Sequence, residues 1–273
     1  MIQRIIPSSG ERLPVIGSGT WQTFDVSTNE TYPELTRVLN EMHSAGGRLI
    51  DSSPMYGRAE KVIGDVTSQV NYKDDFFYAT KVWTKGRQQG IEQMQSSMQK
   101  MQRQTIDLMQ VHNLTDWQTH LPVLRDWKER GIIKYTGITH YTDSMHDELE
   151  QVLRKEQFDF VQFNYSIDSR HAENRLLNAA ADLGVATLIN RPFGEGRLFK
   201  KVKDKAVPQW AIEAGIDTWS AFFLKFIIAH PAVTCVIPAT SNAVHAADNF
   251  KAGNSSDLEN GIREKMIKYV DGL

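Results

Sequence analysis

A single cysteine, Cys235, stands among the 273 residues, which excludes an internal disulfide. It lies in the apolar run VTCVIP, so a core thiol is expected rather than a nucleophile. A surplus of one charge is also lacking, since 31 Lys and Arg face 33 Asp and Glu. No basic stripe points to nucleic acid, and no charge run points to a tail. No apolar stretch reaches the roughly 20 residues of a membrane-spanning helix, so no membrane partner is expected. The longest, WSAFFLKFIIAH, carries Lys225 and stops at Pro231, and reads as a buried helix. A GxGxxG fingerprint is missing after the early apolar runs; RPFGEGRL has part of the spacing but comes late. His140, His146, His171 and His245 fall on separate segments without an HxxxH or HExxH pair, so no metal is expected. The N-terminal MIQRIIPSSGERLP has no apolar signal core, so the expected location is cytoplasmic, or outside the cell if a signal has been trimmed.

What is present is an alternation. Short β-rich runs recur eight times: VIGSGTW, GRLIDSS, FFYATKVW, IDLMQVHN, YTGITHY, FDFVQFNY, VATLINRPF and VTCVIPAT. Each is apolar on consecutive positions, as in strands buried on both faces, and each ends in a polar or small cluster. Helical patterns separate them. YPELTRVLNEMHSAG puts Leu35, Val38, Leu39 and Met42 on one face and ends on Gly46. IEQMQSSMQKMQRQ aligns Met94, Met98 and Met101. HLPVLRDWKERGI is expected to open near Pro122, and DSMHDELEQVLRKE to start on an Asp143 or Ser144 cap. RHAENRLLNAAADLG ends on Gly184. No Pro-, Gly- or Ser-rich linker divides the chain. Eight strand–helix units predict an α/β protein, a (β/α)₈ TIM barrel forming one domain over residues 1–273; an open doubly wound sheet is the rival. A chain of this length buries about 75% of its unfolded surface and needs no staple.

Barrel enzymes work at the C-terminal ends of their strands. Between Leu49 and Gly57 an apolar run delivers Asp51 and, five positions on, Tyr56; ATKVW ends on Lys81 and Trp83, and LMQVHN on His112 and Asn113. A phenol with a pKa near 10 is a poor acid at neutral pH. An ammonium beside it lowers that pKa, and a carboxylate keeps the ammonium charged and oriented. An imidazole can hydrogen-bond the same substrate oxygen. Together, Asp51, Tyr56, Lys81 and His112 can protonate an oxygen that becomes an alkoxide as hydride reaches its carbon. Each also has an ordinary reading: Asp51 as a turn cap, Tyr56 as a packed loop aromatic, Lys81 as a surface lysine, His112 as a satisfied core histidine. Their conjunction on three consecutive strand ends favours chemistry.

At these motifs the chain closely resembles the aldo-keto reductases, over nearly its whole length. IGSGTW, the stretch from Asp51 to Gly57, ATKVW, LMQVHN, GITHY, FVQFNY and IPATSNAVHAADNF stand where that family has its first strand, its Asp and Tyr, its Lys, its His, a Gly-x-Ser-Asn segment, its nicotinamide-binding Gln and its late phosphate element. The resemblance implies an NAD(P)H-dependent oxidoreductase that reduces aldehydes or ketones. Tyr56 is then the general acid, Lys81 and Asp51 tune it, and His112 orients the carbonyl. Implied cofactor contacts are Thr20, Trp21, Asp51, Thr139, His140, Gln162, Asn190, Arg191, Pro192, Phe193, Gly194, Arg197, Thr240, Ser241, Asn242 and Asn249. Thr139 and His140 replace the usual Ser and Asn, and Asn190 stands where many members stack an aromatic ring. Trp21, Trp83 and Asn113 are the implied substrate walls. The family's phosphate-reading Lys and Arg align with Ala239 and His245, so NADPH is expected as cofactor with a weak advantage over NADH, helped by an anion-favouring helix N-terminus. The expected partner is a small carbonyl compound, with a monomer favoured. A cofactor-binding sensor or accessory subunit, and a Schiff-base enzyme using Lys81, remain as alternatives. The long basic segment GEGRLFKKVKDKAVP is either a lid or a solvated loop.

Overall fold

The computed structural model describes residues 1–254, 258 and 261–273. The chain opens with an antiparallel hairpin, β1 (Gln3–Ile5) and β2 (Arg12–Pro14), which the sequence reading did not anticipate. Eight parallel strands follow: β3 (Ser18–Gly19), β4 (Leu49–Asp51), β5 (Phe77–Val82), β6 (Ile106–His112), β7 (Ile133–Thr139), β8 (Phe160–Asn164), β9 (Ala186–Asn190) and β10 (Cys235–Val236). They pair in sequence order. Parallel bridges from Ile16 to Val236 and from Gly19 to Ala239 join the two ends of the sheet and close the ring. All eight expected runs contain a strand, and the single-domain (β/α)₈ barrel prevails over the open sheet.

The helices are α1 (Tyr32–Ser44), α2 (Ala59–Thr67), α3 (Arg87–Lys100), α4 (Trp117–Glu129), α5 (His146–Lys155), α6 (Leu176–Asp182), α7 (Arg197–Lys201), α8 (Gln209–Glu213), α9 (Trp219–Ile228), α10 (Ala243–Lys251) and α11 (Ile262–Asp271). In α1, Leu35, Val38, Leu39 and Met42 are buried as their spacing predicts, and Gly46 follows in a left-handed conformation. The apolar helix α9 is buried from Ser220 to Ile228. Two expected helix starts move. Helix α4 begins at Trp117, so Pro122 lies inside it rather than near its opening. Asp143 and Ser144 form a separate 3₁₀ turn, and α5 starts at His146 with no side-chain cap. The basic segment after β9 is neither free loop nor lid alone: α7 forms within it, α8 begins directly after it, Leu198 and Val202 are buried, and Phe199 packs on Phe193 and Phe223.

Side chains on a strand alternate between faces, and here each face has its own core. Between sheet and helices lie Ile50, Tyr78, Val82, Met109, Val111, Ile138 and Val161. Inside the ring lie Leu49, Phe77, Ala79, Leu108, Tyr135, Phe160, Ala186, Leu188 and Cys235. Cys235 is therefore the expected core thiol, and burial pushes its pKa up. Two-residue steps along the inner face continue from this apolar plug to Asp51, Lys81, Gln110, His112, Thr139, Gln162 and Asn190 at its top. The strand register sets them side by side: Lys81 opposes Gln110, His112 opposes Thr139, and Thr139 opposes Gln162.

Candidate active site

A cavity of about 580 Å³ opens above the plug. Its wall includes Thr20, Trp21, Asp51, Met55, Tyr56, Trp83, His112, Asn113, Thr139, Tyr141, Gln162, Asn190, Arg191, Pro192, Phe193 and Phe199. The size suits a small ligand or one end of a larger one. Trp21 and Trp83 both line it and are exposed to solvent.

Lys81 lies beneath this cavity, fully buried. Its Nζ donates to Asp51 Oδ2 at 2.7 Å and to the Ser52 carbonyl at 2.7 Å. The same ammonium is 5.1 Å from the centre of the Tyr56 ring. Burial works against the charge, but Asp51 and the phenol outweigh it, so the Lys81 pKa is raised and the ammonium persists. Gln110 Nε2 donates to Asp51 Oδ1 at 3.1 Å, so both carboxylate oxygens are held. Gln110 fits because residue 137 is glycine: a Cβ there would lie 2.9 Å from Gln110 Cγ.

Tyr56 differs from expectation. Desolvation raises its pKa, and Lys81 returns only part of the rise, so the net direction is up rather than down. The phenol stays protonated at neutral pH, which is the state a proton donor requires. His112 meets Tyr56 edge to face, with ring centres 5.8 Å apart. Burial, then the Lys81 ammonium and His140, push the imidazole pKa down to about 2. His112 is therefore neutral across the physiological range and can orient an oxygen without being its acid.

Higher on the wall, Thr139 donates to Gln162 Oε1 at 3.0 Å, and the buried Gln162 Nε2 has no partner among the described residues. Asn190 Oδ1 is likewise buried and without a partner among the described residues. Gln162 and Asn190 line the cavity from adjacent strands and between them carry one unpaired amide donor and one unpaired acceptor, the complement of a primary carboxamide. Tyr141, which sequence reading passed over, stacks on His140 at 5.2 Å and carries the Arg191 guanidinium 4.3 Å from its ring centre. Arg191 also pairs with Glu195 at 2.8 Å and holds a left-handed backbone at φ +52°.

Several expected contacts lie elsewhere. His140 is half-buried behind Tyr141 and does not line the cavity. Gly194 and Arg197 line a separate polar recess beside it, where Arg197 is bound to Asp168 at 2.9 Å. Thr240, Ser241 and Asn242 are surface residues before α10, and Asn249 is buried in that helix; none of the four lines the cavity. The N-terminus of α10 is not an open anion site. Asn242 Oδ1 accepts from Val244 and His245 N–H, and the Glu34 carboxylate accepts from Ala243 N–H at 2.8 Å. Among the described residues no cluster of His, Cys, Asp and Glu is suited to hold a metal, and no helix is long and apolar enough to cross a membrane.

The parallel barrel thus carries a buried ion pair, a phenol and a neutral imidazole at its strand ends, above an apolar plug. The chain belongs to the aldo/keto reductase family, whose model matches residues 15–268; the family's members are oxidoreductases. The chain is 27% identical over 258 residues to methylglyoxal reductase YeaE of Escherichia coli, covering 91% of this chain and 89% of that one. It is 24% identical to aldo-keto reductase YhdN of Bacillus subtilis, over 73% of this chain and 64% of that relative. Among solved structures, an aldo-keto reductase from Klebsiella pneumoniae in complex with NADPH superposes with TM-score 0.82 at 21% identity, covering 99% and 95% of the two chains. The holo form of AKR11C1 from Bacillus halodurans gives 0.80 at 18%, covering 99% and 96%.

Proposed function

We propose that the protein is an NADPH-dependent carbonyl reductase acting on small aldehydes or ketones. The observation that carries the reading is the buried Lys81–Asp51 pair set beneath Tyr56, with neutral His112 at its edge. A bound reduced nicotinamide supplies the hydride. Its carboxamide fits the free Gln162 Nε2 and Asn190 Oδ1, with Thr139 fixing the glutamine. The resemblance assigns the rest of the dinucleotide to Thr20, Trp21, Pro192, Phe193, the recess with Gly194, Arg191 and Arg197, and the Thr240–Asn242 turn before Asn249. The substrate oxygen lies between Tyr56 Oη and His112. As hydride reaches the carbon, Tyr56 gives its proton to the oxygen, and Lys81 stabilises the phenolate left behind. Asp51 and Gln110 keep Lys81 in place. Trp21, Trp83, Met55 and Asn113 enclose the remainder of the substrate.

Methylglyoxal is the first substrate to try, because the E. coli relative is named for reducing it. The test follows loss of the reduced cofactor's absorbance with methylglyoxal and a panel of aldehydes, ketones and quinones. Turnover with at least one carbonyl is expected. Tight cofactor binding without turnover across the panel would instead mark a cofactor-binding sensor.

A further inference from the structure

Ser53 lies two residues after Asp51 and is fully buried. Its Oγ is 2.9 Å from His112 Nδ1 and 3.3 Å from the Met55 backbone nitrogen. The Met55 N–H can only donate, so it occupies a lone pair of Ser53 Oγ. The hydroxyl proton then needs an acceptor of its own. His112 Nδ1 lies within reach and can serve, provided that it carries no proton. With the proton on Nδ1, Ser53 Oγ would accept twice, and its own buried O–H would be left unpaired, an arrangement that proteins avoid. His112 Nε2 has no hydrogen-bond partner among the described residues, and the ring lines the cavity.

We propose that Ser53 is a positioning residue that fixes His112 as the Nε2–H tautomer, so that the cavity-facing edge of the ring is a donor aimed at the substrate carbonyl oxygen. The tautomer at one ring nitrogen is set by the hydrogen bond made at the other. Burial and the neighbouring ammonium keep the ring neutral, so it carries one proton, and Ser53 decides where. The opposite tautomer would present a lone pair to the carbonyl oxygen and repel it as negative charge develops. Ser53 thereby separates two roles: Tyr56 gives up a proton, and His112 lends a hydrogen bond without giving one up.

The catalytic part of this inference rests on the carbonyl-reductase reading; the tautomer itself does not. Nitrogen-15 NMR of the full chain, with the His112 signals assigned through His112→Asn, reads the tautomer directly. The wild-type spectrum should place the proton on Nε2, with Nδ1 in the unprotonated range. Ser53→Ala should shift the signals toward a tautomer mixture and, with an active substrate, lower kcat by about tenfold or more. That is a fraction of the loss seen when an oxyanion donor is removed outright. Cofactor binding should be unchanged. Ser53→Thr, which keeps the hydroxyl, should restore both readouts; should the alanine variant not fold, the wild-type and threonine spectra still decide the assignment. A wild-type proton on Nδ1, or an alanine variant with an unaltered His112 spectrum, overturns the proposal. A protein that reduces no carbonyl overturns the functional reading alone.

Discussion

Burial makes a poor acid poorer, and under the proposed function Tyr56 can act as an acid only because Lys81 waits beneath it. The phenol's raised pKa keeps the proton on at neutral pH, and the ammonium stabilises the anion once the proton has gone. Removing the proton while keeping the ring isolates the first effect. Tyr56→Phe should bind cofactor nearly as wild type and lose about 10² to 10⁴ in kcat; near-normal turnover would end the general-acid assignment. Removing the ammonium tests the second. Lys81→Met takes away the one influence that most strongly opposes desolvation, so the Tyr56 pKa should rise further and the limb of the pH–rate profile due to Tyr56 should move to higher pH. The same change leaves Asp51 buried with Gln110 as its remaining side-chain donor among the described residues. Stripping one partner from a buried pair costs about 3–5 kcal/mol, which should appear as a lower urea midpoint. A variant with wild-type stability and an unmoved profile would show that the pair neither holds the site nor tunes the phenol.

At the level of elements, the informative feature is what fills the start of α10. A helix N-terminus attracts anions through its unpaired N–H groups. Here a glutamate from α1 and the Asn242 side chain have taken those groups, and hydrogen bonding from Ala243 holds the Glu34 carboxyl below its usual range. Under the proposed placement of the dinucleotide, this turn meets the ribose that carries the extra phosphate of NADPH. A fixed carboxylate there opposes the phosphate and tolerates the free hydroxyl of NADH. Arg37, paired with Glu34, is a cation beside it that can answer the phosphate. Glu34→Gln removes the negative charge and keeps the shape. The ratio of kcat/KM for NADPH over NADH, measured with one aldehyde at pH 7, should rise by about tenfold, an effect that salt should shrink. An unchanged ratio would place the phosphate elsewhere.

Across the whole molecule, the strands were legible because both of their faces are buried, which writes continuous apolar runs into the sequence. The hairpin was not, because each of its strands has three residues and β1 is largely exposed. Asp51, Lys81 and His112 were legible from their places at strand ends. Gln110, Ser53 and Glu34 were not, since their roles exist only through partners 59 to 209 residues away. The same burial that hides such contacts from the sequence has a consequence for the molecule's response to acid. His112, His140, His146 and His230 all have lowered pKa values, each with desolvation as the first cause. In the unfolded chain each returns to about 6.5. Below that pH the unfolded state binds protons that the folded state refuses, so stability falls as pH falls. His112, 5% exposed and held neutral down to about pH 2, contributes the full slope of about 1.4 kcal/mol per pH unit below 6.5; His140, His146 and His230 add contributions of the same sign. At about 2–4 °C per kcal/mol for a chain of this size, Tm should drop by several degrees between pH 7.5 and 5.5, before most carboxylates begin to protonate. His112→Asn should flatten that drop. A Tm that stays level over the interval in the wild type would mean that the imidazole takes up its proton inside the folded barrel, and the neutral-donor role assigned to it would fall with the slope.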